Sequence, residues 1–492
     1  MSQARVATAV EGLDGILGGG LPADRLYLVE GLPGSGKTTL ALQFLREGAR
    51  LGEPVLYVAL SETNEELTEV ARSHGWKLDG VVVHELSSDI NLQPDAQYTV
   101  FHPSEVELGA TMKGVTEVVE RVRPRRIVID SLSELRLLAG DPLRYRRQIL
   151  ALKQFLGAAG RATVLLLDDK TAVGSDLQLQ SLAHGVIALE QLTPEYGGAR
   201  RRLRITKIRG VRFQDGYHDY EILHGGLRVY PRLVAAEHGR RFEPQSMTTG
   251  LAALDTLLGG GIARGTTTLL MGPAGSGKSL MAAQVASAAA ARGEGIAFFL
   301  FDEGIGTFLA GTAGIGLDMR PFIETGRVIV KQIDPAELSP GQFVHLVRHA
   351  VEKVGVGVVV IDSLNGYLNA MPEERLLTTH LHELFAYLGQ HGILTLTVMA
   401  QHGLIGNTQV PLDITYLADT VVLLRYFEAH GAVRKAISVM KRRAGSHEST
   451  IREFRISASG IDVGEPLREF RGILTGVPVY EGPAMAGDDG AT

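Results

Sequence analysis

"GLPGSGKT" (residues 31–38) and "GPAGSGKS" (residues 272–279) are two copies of one glycine-rich octet, and their reading decides the fold. Each fits G-x-x-x-x-G-K-[ST]. Each also follows an apolar run and opens a helical one, which is the setting that a phosphate-binding loop requires. Gly34 and Gly36, with Gly275 and Gly277, let backbone amides turn inward without Cβ clashes. Lys37 and Lys278 have the reach to meet β- and γ-phosphates. Thr38 and Ser279 carry hydroxyls suited to Mg2+, and the following helix adds its dipole. The residues expected to cradle ATP are Gly31, Leu32, Pro33, Gly34, Ser35, Gly36, Lys37, Thr38 and Thr39 in the first copy. In the second they are Gly272, Pro273, Ala274, Gly275, Ser276, Gly277, Lys278, Ser279 and Leu280. An ordinary glycine turn would account for one match, and two matches in the same context argue against it.

The repeat extends well beyond the octets. "TAVEGLDGILGGGLPADRLYLVEGLPGSGKTTLALQFL" from Thr8 is echoed by "TTGLAALDTLLGGGIARGTTTLLMGPAGSGKSLMAAQV" from Thr248. Downstream, "VLYVALSET" pairs with "IAFFLFDEG", "RIVIDSLSEL" with "VVVIDSLNGY", and "LRITKIRG" with "AISVMKRRAG". The spacing from octet lysine to strand-end aspartate (Lys37 to Asp130, Lys278 to Asp362) is nearly conserved between halves. So is the spacing onward to Lys207 and to Lys441. Two domains are expected at 1–236 and 247–480, with a linker at 237–246 and a disordered tail at 481–492. Within each half, apolar runs such as "RLYLVEG" and "RRIVIDS" alternate with helical stretches, which predicts a mostly parallel sheet flanked by helices. Late runs lie closer together, which adds an antiparallel extension at one edge. The fold class is α/β, two P-loop domains in tandem.

Composition narrows the function classes. The chain has 492 residues, 45% apolar and 21% charged, as expected of a globular protein. It lacks cysteine, which excludes disulfides, thiolate zinc sites and a thiol nucleophile and fits a reducing compartment. No apolar run has the length of a membrane span, and the first residues carry no apolar leader core, so a cytoplasmic location is expected. The formal net charge of −6 offers no basic footprint for nucleic acid.

Asp130 and Asp362 each close an apolar run, where a carboxylate can hold Mg2+ through water. Glu62 in "LSET", and Asp302 with Glu303 in "FDEG", stand where a group could orient or deprotonate an attacking water. Their alternative is a solvated strand end or helix cap. The pairs Lys207/Arg209 and Lys441/Arg443 recur on late strands, far in sequence from their own octets. They fit cations inserted from a neighbouring subunit, or a solvated strand face. The fifteen histidines show no metal-ligand spacing. His380 and His382 in "HLHELF" fall on different sides of a helix.

Taken together, the tandem RecA-type octets, "ARSHGWKLDG", "ADTVVLLRYFEAHG" (418–431) and "GSHESTIREFRIS" (445–457) resemble the KaiC family across nearly the whole chain. The resemblance implies homo-hexamers of two stacked rings with ATP and Mg2+ at subunit interfaces. It also implies an N-terminal ring that is mainly an ATPase. The C-terminal ring would transfer phosphate reversibly onto Ser/Thr acceptors of a neighbouring subunit. Those acceptors fall on Thr415 and Tyr416, and Tyr416 departs from the family's Ser-Thr pair. The family's paired glutamates are Ser61-Glu62 and Asp302-Glu303 here. A KaiB-like partner on the N-terminal ring is compatible with the sequence. The family's KaiA-binding tail has no counterpart after "ILTGVPVYEG", so no KaiA-type activator is expected.

Two other classes stay open. A DNA-dependent ATPase of the RecA or DnaB kind would need basic pore loops. The loops at 168–185 and 401–416 are not basic, and the clusters "RVRPRR" (121–126) and "ARRRLR" (199–204) are better placed for subunit contact. A slow ATPase scaffold without kinase activity would signal through nucleotide state alone.

Overall fold

The computed structural model describes residues 4–86, 103–158, 162–169, 177–193, 197–239, 242–243, 245–369, 377–401, 414–429, 431–475 and 478–482. The chain divides into two compact units between Arg232 and Leu233. The boundary falls there because Leu233 and Ala235 are buried in the core of the second unit, and the Ala235 amide donates to Glu383. The expected tail at 481–492 lies almost entirely outside the described residues.

Each unit is built on a nine-stranded sheet with the same strand order. In the first unit the parallel part runs Val81–Glu85, Val55–Ala59, Arg126–Asp130, Thr163–Asp169, Leu26–Gly31, Gly185–Leu192. Three antiparallel strands extend it, Arg200–Ile208, Tyr217–Leu223 and Gly226–Tyr230. In the second unit the parallel part runs Val328–Gln332, Ile296–Leu300, Val358–Asp362, Leu394–Ala400, Thr267–Gly272, Thr420–Ala429. Its extension is Ala432–Arg442, Arg452–Ser457 and Gly460–Pro466. The expectation of a mostly parallel sheet with an antiparallel edge is met in both units.

The central strands are mostly apolar because both of their faces are covered, with the charged residues at or near their ends. Leu26–Gly31, Val55–Ala59, Arg126–Asp130 and Val358–Asp362 are buried at every position. In the first unit Tyr27 and Val29 pack on one face with helix Lys37–Arg50, and Leu26 and Leu28 on the other with Ile149 and Leu152. The second unit repeats this arrangement with helix Lys278–Ala291 on one face and Leu377–Gln390 on the other.

Register then decides where the chemistry collects. Ala59 pairs with Asp130 and Gly31 with Asp169, while Leu300 pairs with Asp362 and Gly272 with Ala400. Each P-loop therefore starts at the carboxyl ends of the parallel strands, beside the strand-end acids, where open α/β sheets bind ligands.

Candidate nucleotide sites

Both octets form a tight turn leading into a helix. Gly36 (φ 92°) and Gly277 (φ 104°) are the residues preceding helices Lys37–Arg50 and Lys278–Ala291, in the left-handed region that favours glycine. Neither helix start is capped by a side chain, which leaves its first amides and positive dipole end available to an anion. A Cβ on Gly36 would lie 2.8 Å from Ile222 Cδ1, and one on Gly277 2.4 Å from Ile456 Cδ1. The antiparallel extension thus braces each loop from behind.

In the N-terminal site Lys37 is buried and its ammonium donates to the carbonyls of Gly31 (2.9 Å) and Leu32 (3.1 Å). It also forms an ion pair with Asp169 at 2.8 Å. The Thr38 hydroxyl donates to Asp130 at 3.2 Å, and the Tyr57 hydroxyl donates to the same oxygen at 2.5 Å. Burial pushes the Asp130 carboxyl up, against the pull of those two hydrogen bonds. Glu62 stands at the end of the next strand, where the neighbouring Leu60 amide bonds the Asp130 carbonyl at 2.6 Å. One Glu62 carboxylate oxygen is buried and makes no hydrogen bond among the described residues. Burial first, and the Asp130 charge second, lift its carboxyl to about 7.

The C-terminal site repeats the plan with different neighbours. Lys278 donates to the Pro273 carbonyl at 2.7 Å, and burial draws its ammonium down to about 8. Burial lifts Asp362 to about 6 against a hydrogen bond from Ser279, with Glu303 adding repulsion. Burial also raises Glu303. Asp302 is exposed and accepts the Ser363 hydroxyl, and of the two acids Glu303 acts the more strongly on Asp362. The peptide bond after each strand-end aspartate, Asp130-Ser131 and Asp362-Ser363, is cis.

The sequence-predicted residues largely converge. Two do so only through their backbone: Thr39 turns its hydroxyl to His74 (3.3 Å), and Leu280 packs on the apolar core. The basic pairs lie elsewhere. Lys207 pairs with Val186 and Lys441 with Val421, at the amino ends of the parallel strands, the end opposite their own P-loops. Lys207 and Arg209 donate to the carbonyls of Gln180 and Ser181. Lys441 donates to the carbonyls of Thr415 (2.9 Å) and Ala418 (2.7 Å), and Arg443 to that of Tyr416. Thr415 is half-buried and Tyr416 is 53% exposed. Arg126, read from sequence as part of a contact cluster, is 1% exposed instead. It is neutralised by Glu53 and donates to the carbonyls of Ala7 and Phe44, so it is a core ion pair. Arg202 likewise pairs with Glu190 and lies over Tyr217. Residues 170–176 of the loop at 168–185 and 402–413 of that at 401–416 lie outside the described residues.

Sequence reading missed Asp169 and Tyr57. The acidic end of "VLLLDD" is the one local signal for Asp169, whose place beside the P-loop strand comes only from the structure; a lone hydroxyl inside "VLYVA" is a much weaker one.

These residues fit a nucleoside triphosphate with its metal: an uncapped helix start, a buried lysine, and a hydroxyl beside a strand-end carboxylate. Among the described residues no group of three or more His, Cys, Asp or Glu side chains is placed to hold a metal ion, and no helix is long and apolar enough to cross a membrane.

Comparison with known proteins agrees with this geometry. The family model "ATPase: KaiC" matches residues 6–234 and again residues 247–468. The chain is 26% identical over 481 residues to the circadian clock protein KaiC3 of Synechocystis, covering 97% of this chain and 95% of that one. It is 27% identical over 482 residues to the circadian clock oscillator protein KaiC of Synechococcus elongatus, covering 96% and 92%. The corresponding protein of Parathermosynechococcus lividus is 27% identical over 484 residues, covering 96% and 87%.

Proposed function

Because this chain belongs to the KaiC ATPase family, we propose that it is a ring-forming ATPase with two unlike ATP sites, whose C-terminal half also phosphorylates its own chain at Thr415. The family implies ATP binding. The observation that carries the reading is the convergence, in both units, of the P-loop lysine, a Thr or Ser hydroxyl, a strand-end aspartate and a half-buried glutamate.

Thr38 with Asp130, and Ser279 with Asp362, would hold Mg2+, which on binding neutralises charge on the β- and γ-phosphates. Lys37 and Lys278 orient the terminal phosphates, and the uncapped helix starts fix them. Glu62 and Glu303 take the proton of the attacking oxygen. A carboxyl raised toward neutrality is matched to that task, since its ionised form is a stronger base than an ordinary carboxylate and is still populated near neutral pH. In the N-terminal half the attacking oxygen is water. In the C-terminal half it is water or the Thr415 hydroxyl of a neighbouring copy.

Lys207/Arg209 and Lys441/Arg443 complete a neighbour's site. Their position away from their own P-loops supports this, because a cation needed at the γ-phosphate must then come from another subunit. A closed homo-oligomer follows, a hexamer on the family resemblance. Its setting is circadian-type or stress signalling in the cytoplasm, with a KaiB-like partner on the N-terminal ring. The paired state of Arg126 and Arg202 weighs against a DNA-dependent ATPase.

Intact-mass and phosphopeptide analysis after incubation with Mg-ATP tests the kinase reading, with Thr415→Ala and Lys278→Ala as controls. Phosphate on Thr415, absent from both variants, is the expected result. ATP hydrolysis with no phosphate anywhere on the chain would reduce the protein to an ATPase scaffold.

A further inference from the structure

The two sites treat their essential lysine differently. An ammonium has three protons to donate. In the N-terminal site all three are engaged, by Gly31, by Leu32 and by the Asp169 carboxylate at 2.8 Å. Asp169 is itself fixed, accepting the Ser133 hydroxyl at 3.0 Å with Arg136 close by. Burial alone would raise its carboxyl, yet the bond and charge of Lys37 and the Ser133 bond hold it below the usual carboxylate range.

The C-terminal site keeps a carbonyl bond to its lysine but lacks the carboxylate. Strand register puts Ala400 beside Gly272, where Asp169 stands beside Gly31. The counterpart of Ser133 is Asn365, which closes on the Ala400 backbone through its amide (3.0 and 2.6 Å). Among the described residues no carboxylate forms an ion pair with Lys278.

We propose that Asp169 is a lysine latch peculiar to the N-terminal site, a positioning residue that competes with the terminal phosphate of ATP for Lys37. The inference rests on the reading of both P-loops as ATP sites. A phosphate oxygen takes its place on Lys37 only when the carboxylate lets go, so the apparent affinity falls by the fraction of sites left unlatched. No bond is made or broken; one hydrogen-bonded anion replaces another. The released carboxylate stays in the same acidic cluster, where its charge acts on both Glu62 and Asp130. The latch also supplies the second carboxylate that the Ser61-Glu62 pair lacks. The latch thereby makes the N-terminal site's response to ATP differ from what its P-loop alone would give.

Calorimetric titration of the full-length chain with Mg-ATP tests this. A Lys278→Ala background isolates the N-terminal site, and a Lys37→Ala background isolates the other. Asp169→Asn is expected to tighten N-terminal binding about two- to fivefold, the range of a partly exposed ion pair. The reciprocal Ala400→Asp is expected to weaken C-terminal binding by a similar factor. Unchanged or weakened binding in Asp169→Asn overturns the latch. If that variant does not fold, Ala400→Asp decides, and unchanged binding there overturns it. If the Lys278→Ala chain binds no Mg-ATP at all, the ATP reading of the N-terminal site fails, and the latch with it.

Discussion

Glu62 illustrates how one buried carboxyl links stability to chemistry. In the folded chain it keeps its proton up to about pH 7, whereas unfolded it releases it in the ordinary glutamate range. The folded state therefore binds the extra proton between those values, and stability is lost as pH rises through that window. Glu62→Gln is expected to raise Tm by about 1–3 °C at slightly alkaline pH, and by less near pH 5, in thermal melts without nucleotide. The same substitution is expected to lower phosphate release by the N-terminal half about 10²- to 10⁴-fold while leaving ATP bound, because it removes the proton acceptor. Phosphate-release assays in a Lys278→Ala background measure this, and retained turnover would assign the base elsewhere. At this scale the sequence named Lys37, Thr38, Asp130 and Glu62 because each sits in a motif or at a strand end. It did not name Asp169 or Tyr57, since their roles depend on which strands lie side by side. Strand order is a tertiary fact that no local pattern carries.

Among the elements, the antiparallel extension does more than cover an edge. Ile222 and Ile456 stand behind the P-loop glycines, and through them the extension holds each loop in its anion-receiving turn. Gly277→Ala forces Ala into φ 104° and drives its Cβ to 2.4 Å from Ile456 and 2.9 Å from Phe454. Gly293→Ala faces a similar φ of 99° with nothing within 4 Å, and so isolates the backbone strain. Each is expected to lose about 1–2 kcal/mol in denaturant unfolding from that strain. Only Gly277→Ala should also lose Mg-ATP binding at the C-terminal site. Equal binding losses would mean that the extension is not the brace. The parallel strands were legible because burial on both faces turns them into unbroken apolar runs. The extension was legible as closely spaced strands, but its packing against the loop was not. That contact joins Gly277 to residues far along the chain, and neither Ile456 nor Phe454 differs in type from any other core residue.

For the whole molecule the decisive geometry is the separation of each basic pair from its own P-loop. Val421 opposite Lys441 lies near the amino end of its strand, whereas Gly272 closes the carboxyl end of the strand beside it. A chain with an intact P-loop and no Arg443 should therefore be rescued by a neighbour with Arg443 and no P-loop lysine. Let Lys278→Ala and Arg443→Ala chains each carry Glu62→Gln, so that the N-terminal half binds ATP without contributing turnover. Either chain alone is expected to release almost no phosphate. Co-assembled in equal amounts, half of the P-loops are intact and half of those meet an intact Arg443, so about a quarter of the parental C-terminal rate should return. Arg443 also holds the Tyr416 carbonyl, and Lys441 those of Thr415 and Ala418, within one chain. If that bracing were their whole role, the Arg443→Ala defect would stay with the chain that carries it and co-assembly would restore nothing. Recovery near a quarter places the catalytic unit at the boundary between copies. It also gives the bracing a second meaning, since the cations that would reach a neighbour's phosphate are the same ones that grip the segment bearing Thr415.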